Sequence, residues 1–167
     1  MNLAKSLYVI IVFSLTFNIS NTVASIYYTI HEETLGIVNG KSIGETVEIE
    51  RILTNPILLS LKKEDLTGQL TTVIIKDAYL IENNSQSEIS IRSVKNSMDK
   101  VTSYFKASLW IDRNIVPIQA EQVGDAIKID VPNSFEIIEI KANSPIKIVV
   151  PKDLRGEMNI NLVFQGN

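Results

Sequence analysis

The chain has 167 residues, 45% of them hydrophobic, with 16 Lys and Arg against 19 Asp and Glu and no cysteine. A mildly acidic net charge of −3 argues against nucleic acid or an anionic membrane surface as the main partner. The missing thiols exclude disulfides, thiolate metal sites and cysteine redox chemistry, so the fold must hold by burial and sheet hydrogen bonds alone.

Residues 1–24 read as a cleaved secretory signal. Lys5 supplies the positive n-region, residues 7–17 (LYVIIVFSLTF) form an apolar run, and small residues around Ala24 suit a peptidase pocket. The run falls well short of the roughly 20 residues that a spanning helix needs. Cleavage after Ala24, with Ser25 a close alternative, is therefore expected in preference to a retained anchor. No cysteine follows the run, so lipid attachment there is excluded. What remains is a single domain over residues 25–167 with a short N-terminal extension (25–31). About 140 residues suffice for one hydrophobic core.

Beyond the extension, Asn39-Gly40 lies between Ile37-Val38 and Ser42-Ile43 and signals a hairpin turn. Residues 46–52 (TVEIERI) alternate, placing Val47, Ile49 and Arg51 on one face and Glu48 and Glu50 on the other. Residues 56–66 (PILLSLKKEDL) fit either one or two helical turns opening on Pro56 or a strand burying Leu58, Leu59 and Leu61. Residues 71–81 begin with Val73-Ile74-Ile75, the mark of a strand covered on both faces or changing face at a bulge. Residues 83–87 and 96–100 are polar loops; Asn83-Asn84-Ser85 fits a glycosylation acceptor, which matters only in a eukaryotic secretory path.

Between those loops, residues 88–94 alternate Ile89 and Ile91 against Ser90 and Arg92. Phe105, Ala107, Leu109 and Ile111 share the next face, with Trp110 opposite. Ile127, Ile129 and Val131 alternate with Lys128 and Asp130 until Pro132-Asn133. Residues 135–141 (FEIIEIK) follow, Asn143-Ser144-Pro145 reads as a turn, and Ile146, Ile148 and Val150 form a further face before Pro151. Met158, Ile160, Leu162 and Phe164 then keep period two almost to the last residue, with Gly156 ahead of them to permit a turn. Turn signals about every 8–12 residues predict an all-β, immunoglobulin-like antiparallel sandwich of seven to nine strands.

Residue types that carry chemistry are sparse. His31 is the lone histidine, and the segment His31-Glu32-Glu33-Thr34-Leu35 has Leu35 where a zinc helix needs its second histidine. A Ser-His-Asp triad would have to be built round that one residue. Glu64-Asp65, Asp112, Asp125 and Glu136 are candidate paired carboxylates, yet they fall on polar faces or in loops without flanking aromatics. Gly36, Gly40 and Gly44 lack the Lys-Ser/Thr frame of a phosphate loop and read as hairpin glycines. Tyr27, Tyr28, Tyr104 and Trp110 are too scattered for a stacking groove. No catalytic residue, metal ligand or cofactor is expected, and the chain is read as a non-enzyme.

The C-terminal run weighs most. A chain end frays unless it is tied into a sheet, and an edge with one apolar face must be paired or protected. With a signal, a short N-terminal tail and an all-β body, this strand resembles the chaperone–usher fimbrial subunits of Gram-negative bacteria. That resemblance implies a sandwich lacking one strand, lent first by a periplasmic chaperone and then by the N-terminal extension of the next subunit. It implies that Met158, Ile160, Leu162 and Phe164, preceded by Gly156, form the edge that chaperone and neighbours engage. It also implies that Ile26, Tyr28 and Ile30 form the donor segment.

Gly166 stands where the family usually has a penultimate aromatic, the glycine-to-aromatic spacing is shorter, and His31-Glu32-Glu33 interrupts the donor alternation. A minor, tip or accessory subunit fits those departures. The expectation is a structural fimbrial subunit or adhesin accessory, exported to the periplasm and then the cell surface, without a stable membrane span. Its partners would be an assembly chaperone, an usher and neighbouring subunits. The alternative is a self-contained exported sandwich that binds a carbohydrate, peptide or envelope protein.

Overall fold

Period-two alternation becomes two layers of antiparallel sheet in the computed structural model, which describes residues 26–94, 101–143 and 145–167. The expected signal and its cleavage site, the polar loop 96–100 and Ser144 lie outside the described residues. Among those described, no helix is long and apolar enough to cross a membrane.

The first sheet runs in the order β1 (Tyr28–Lys41), β13 (Arg155–Gly166), β4 (Thr72–Ile75), β10 (Ala126–Asp130) and β9 (Ala120–Val123). The second has β7 (Thr102–Ile111) at its centre. On one flank of β7 lie β12 (Ile146–Val150) and β11 (Ile137–Ala142), backed by β2 (Val47–Arg51) and β3 (Ile57–Lys62). On the other flank lie β6 (Glu88–Val94) and β8 (Asn114–Val116), with β5 (Ala78–Ser85) outside β6. The pairings are antiparallel, as an immunoglobulin-like sandwich requires.

Among the described residues there are thirteen strands against the expected seven to nine, in part because long strands are broken rather than folded back. Asn143-Ser144-Pro145 makes no turn between sheet neighbours. β11 and β12 lie end to end along β7, with Ala142 opposite Ala107 and Lys147 opposite Tyr104. At the end of β11, Asn143 N–H donates to the Lys106 carbonyl at 2.8 Å. Pro145 has no N–H to lose there. β2 and β3 are broken opposite it, and the Pro56 carbonyl accepts from Ala142 N–H at 2.8 Å.

Other expectations shift for local reasons. Asn39-Gly40 is not a hairpin. It lies inside β1, opposite Glu157 and Gly156, because pairing with β13 continues through Lys41 and overrides the turn chemistry. The chain changes sheet over residues 42–46 instead, where Gly44 has φ +83° and Ser42 Oγ donates to the Glu45 carbonyl at 2.8 Å. Residues 71–81 split between the sheets at Asp77 (φ +49°), so the fully buried β4 and the start of β5 belong to different layers. Residues 56–66 take the strand reading rather than a helix opening on Pro56: β3 buries Leu58 and Leu59 and half-buries Leu61, and only a 3-10 turn follows at Lys63–Asp65. β2 keeps its alternation, but all five of its residues are exposed, since it is the outermost strand of its sheet. Gly156 sits inside β13 at φ +92°, after a turn closed by Leu154 N–H on the Pro151 carbonyl.

The core lies where the alternating faces meet: Ile89 and Ile91, Phe105 to Ile111, Ile127 and Ile129, Ile138 and Ile140, Ile146 to Val150, and Ile160 to Phe164. One lateral seam of the sandwich is stapled. Between β5 and β9, the Gln122 amide accepts from Leu80 N–H at 2.8 Å and donates to the carbonyls of Ala78, Gly124 and Ala126. Ala78 N–H also reaches the Asp125 carbonyl, and Ile118 N–H reaches Gln86. At the opposite seam β1 faces β2, and the Arg51 side chain lies directly over Gly36.

Candidate functional site

The C-terminal strand and the N-terminal strand form one ladder, from Tyr28 opposite Gly166 to Lys41 opposite Arg155. The structure buries Ile160, Leu162 and Phe164 and half-buries Met158, as the alternation predicts. On its other flank, β13 pairs with β4 only at Phe164, Gln165 and Gly166, with Lys76 N–H adding a bond to the Val163 carbonyl. Upstream of that point β1 is its only strand neighbour among the described residues. Without β1, most of β13 would present unpaired backbone groups and an apolar face to water.

β1 holds this position with few side chains. Bulges at Thr29/His31 and Thr34/Gly36 make Ile30 and Leu35 the extra residues, and both are turned toward the core. Leu35 is fully buried; Ile30 and Val38 are partly so. Between them, His31 and Glu33 share the face of Phe164 and Leu162. His31 Nε2 lies 3.1 Å from Glu33 Oε2, and the imidazole sits 6.1 Å from the Phe164 ring. On the outer face Asn161 Nδ2 donates to Glu32 Oε1 at 2.6 Å, while Asn161 Oδ1 is buried without a partner. Two carboxylates, an imidazole and a glycine thus occupy the middle of a strand that its neighbour needs.

The expected donor residues divide. Tyr28 and Ile30 reach the end of β13 within the same chain, Ile30 packing where a side chain at Gly166 would otherwise sit. Ile26 precedes the ladder and is 82% exposed. Sequence reasoning missed that the pairing strand runs on through residues 31–41 and that Leu35 is its anchor. The β-branched run around Ile37-Val38 held that signal, masked by Asn39-Gly40.

Surface apolar residues cluster on the same arch of chain. Of the eleven exposed large hydrophobic side chains among the described residues, eight fall within residues 26–52.

Candidate chemistry elsewhere resolves into structure. Asp112 Oδ1 accepts from the N–H groups of Glu136 and Ile137, each at 2.8 Å, and so joins the β7–β8 turn to the start of β11. Trp110 stands on the outer face with Nε1 donating to buried Ser108 Oγ and Lys141 Nζ 4.3 Å from its ring. Ser108 Oγ donates to Asn143 Oδ1, and Asn143 Nδ2 donates to Glu88, which also pairs with Lys106. The Asn143 hydrogen bond and the Lys106 ammonium hold the Glu88 carboxyl below the usual carboxylate range. An open cleft of about 410 Å³ lies at the end of the sandwich between Lys63, Leu66, Leu70 and Phe135, with Gln69 and Asn133 bonded to each other across its rim.

Comparison with known proteins adds three findings. The chain is similar to the K88 minor fimbrial subunit FaeF of Escherichia coli, 25% identical over 151 residues that cover 81% of this chain and 83% of that protein. No solved structure matches. A family of unknown function, DUF5462, matches residues 8–166, and the chain belongs to that family.

Proposed function

We propose that the chain is a minor or accessory fimbrial subunit, exported by its N-terminal signal and assembled at the cell surface by exchange of β1. The observation that carries this reading is the asymmetry of the terminal ladder. β13 depends on β1 along most of its length, whereas β1 is fastened by one fully buried side chain and joined to the body by the short crossing 42–46. An identical strand from another copy makes the same backbone bonds and fills the same Leu35 position, which is the physics of strand exchange. Head-to-tail exchange of this kind does not close and builds a filament. Similarity to a minor fimbrial subunit supports the same role. The protein acts by burial and backbone pairing rather than by catalysis, with a periplasmic chaperone, an usher and neighbouring subunits as partners.

Cross-linking tests the proposal. Asn39 and Glu157 are exposed and opposite each other, their side chains 3.4 Å apart, in a chain without cysteine. The double variant Asn39→Cys/Glu157→Cys places a disulfide across the ladder and ties β1 to its own β13. The folded, oxidised variant is expected to fail to enter fimbriae and to recover on reduction. Normal incorporation of the oxidised form refutes exchange of β1.

A second reading is favoured by the pairing of β1 with β13 in the same chain. A sandwich already complete in this way acts alone, as an exported binding module for a carbohydrate, peptide or envelope protein. Incorporation into no polymer, together with saturable binding of such a ligand by the monomer, would select it.

A further inference from the structure

The cleft at the end of the sandwich has room for a small molecule, since about 410 Å³ falls within the roughly 300–1,000 Å³ of such sites. Leu70 and Phe135 are buried and Leu66 is half-buried, and together they give it an apolar floor. Gly68 lines it as well. Gly44, Gly124 and Gly156 have positive φ, and a side chain at Gly36 or Gly166 would collide with a neighbour. Gly68 has neither reason to be glycine: its φ lies outside the left-handed region, and a Cβ there meets open space. What the missing side chain preserves is the opening.

Three polar groups stand round that floor. Gln69 Nε2 donates to Asn133 Oδ1 at 3.3 Å, a long bond between exposed side chains. It leaves Gln69 Oε1 to accept and Asn133 Nδ2 to donate, the complement of one secondary amide. Lys63 is the only charged residue of the lining, and it has no ion-pair partner among the described residues. Nearby acids do not cancel it. Glu64 pairs with Lys62 at 3.7 Å and lines a separate hollow with Glu136, while Asp65 is exposed on the same turn and outside the lining.

We infer that the cleft binds a small N-acylated amino acid with an apolar side chain. Its carboxylate meets Lys63, its amide bridges Gln69 and Asn133, and its side chain covers Leu66, Leu70 and Phe135. A sugar acid carries the same charge, but its hydroxyls exceed the partners that two amides supply, and unpaired polar groups oppose burial. The same chemistry ends a polypeptide, so the source is a free compound or a C-terminal residue. None of the lining residues belongs to β1 or β13, so the inference stands apart from strand exchange.

Amide NMR of the folded chain, titrated with N-acetyl-leucine, tests it. Shifts should be confined to residues 63–70 and 133–135. N-acetyl-leucinamide, which lacks the charge, should bind about fivefold more weakly, and so should the acid to Lys63→Gln. Gly68→Leu should abolish the shifts and leave the urea midpoint unchanged, because it fills the cleft without backbone strain. A tripeptide ending in leucine that binds more tightly, with the same shifts, supports the site with a chain end as its source; weaker binding supports it with the free compound. Absence of shifts at about 20 mM overturns the inference, as do shifts confined elsewhere or equal affinity for acid and amide. So does normal binding by folded Gly68→Leu. Tighter binding of N-acetylneuraminic acid overturns it in favour of a sugar acid.

Discussion

β1 and β13 share a single ladder, yet they are held in different ways. β13 commits Ile160, Leu162 and Phe164 to the core and is clamped on both flanks at its end. β1 is as long, but it commits Leu35 and partial contacts from Ile30 and Val38, and it places His31 and Glu33 over the core face. Backbone pairing is the same for both partners of a ladder, so side-chain burial decides which strand leaves first. A strand can thus be indispensable to its neighbour while remaining loosely attached itself. The two seams repeat the contrast: a Gln122 hydrogen-bond network staples one, while the Arg51 and Ile148 side chains pack over Gly36 at the other.

The comparison breaks most visibly at Phe164. Phe164→Ala removes a fully buried ring from β13 and should cost about 3–5 kcal/mol, lowering the urea midpoint for the whole sandwich. Leu35→Ala should cost less, about 2–3 kcal/mol, and its signature should be local. Hydrogen exchange should accelerate in β1 and in the β13 segment upstream of Val163 while β7 stays protected. Equal acceleration throughout would mean that the two strands are held alike.

At the seams, Gln122→Ala leaves the Leu80 N–H without its acceptor and should cost about 1–2 kcal/mol by thermal unfolding. Arg51→Ala, on the open seam, should change stability by less than about 0.5 kcal/mol. A reversed order would sink the distinction between stapled and open sides.

The smallest effect concerns pH. Glu88 titrates low in the fold because of Asn143 and Lys106, so its contribution is present above the unfolded carboxylate value near 4.3 and is lost as pH falls through its folded value. Asn143→Ala should raise the Glu88 titration, followed by NMR of its side-chain carboxyl, and reduce the acid-induced loss of stability. An unchanged Glu88 titration would remove Asn143 from that role.

Much of the fold was legible because burial in a sandwich repeats every second residue. Ile89 and Ile91, Ile127 and Ile129, and Ile160 to Phe164 are buried as their spacing predicts. The breaks were not legible. Asn143-Ser144-Pro145 and Asn39-Gly40 carry turn chemistry, but long-range pairing with β7 and β13 carries the strands past both. Local preference cannot reveal a partner distant in sequence, such as Glu157 opposite Asn39. The β13 half of the candidate site was readable from period two. The β1 half was not, since its anchors Ile30 and Leu35 sit at bulges and fall outside any regular alternation.

Passage of β1 from one copy to another can be followed directly. Two populations, one carrying a donor fluorophore at Asn39→Cys and the other an acceptor at Glu157→Cys, can be mixed and held just below the unfolding midpoint, where the ladder opens repeatedly. Exchange brings residue 39 of one copy opposite residue 157 of the next, so energy transfer should rise with time and be diluted by unlabelled chain. Mixtures that show no transfer, in a chain that refolds reversibly under the same conditions, would contradict the account.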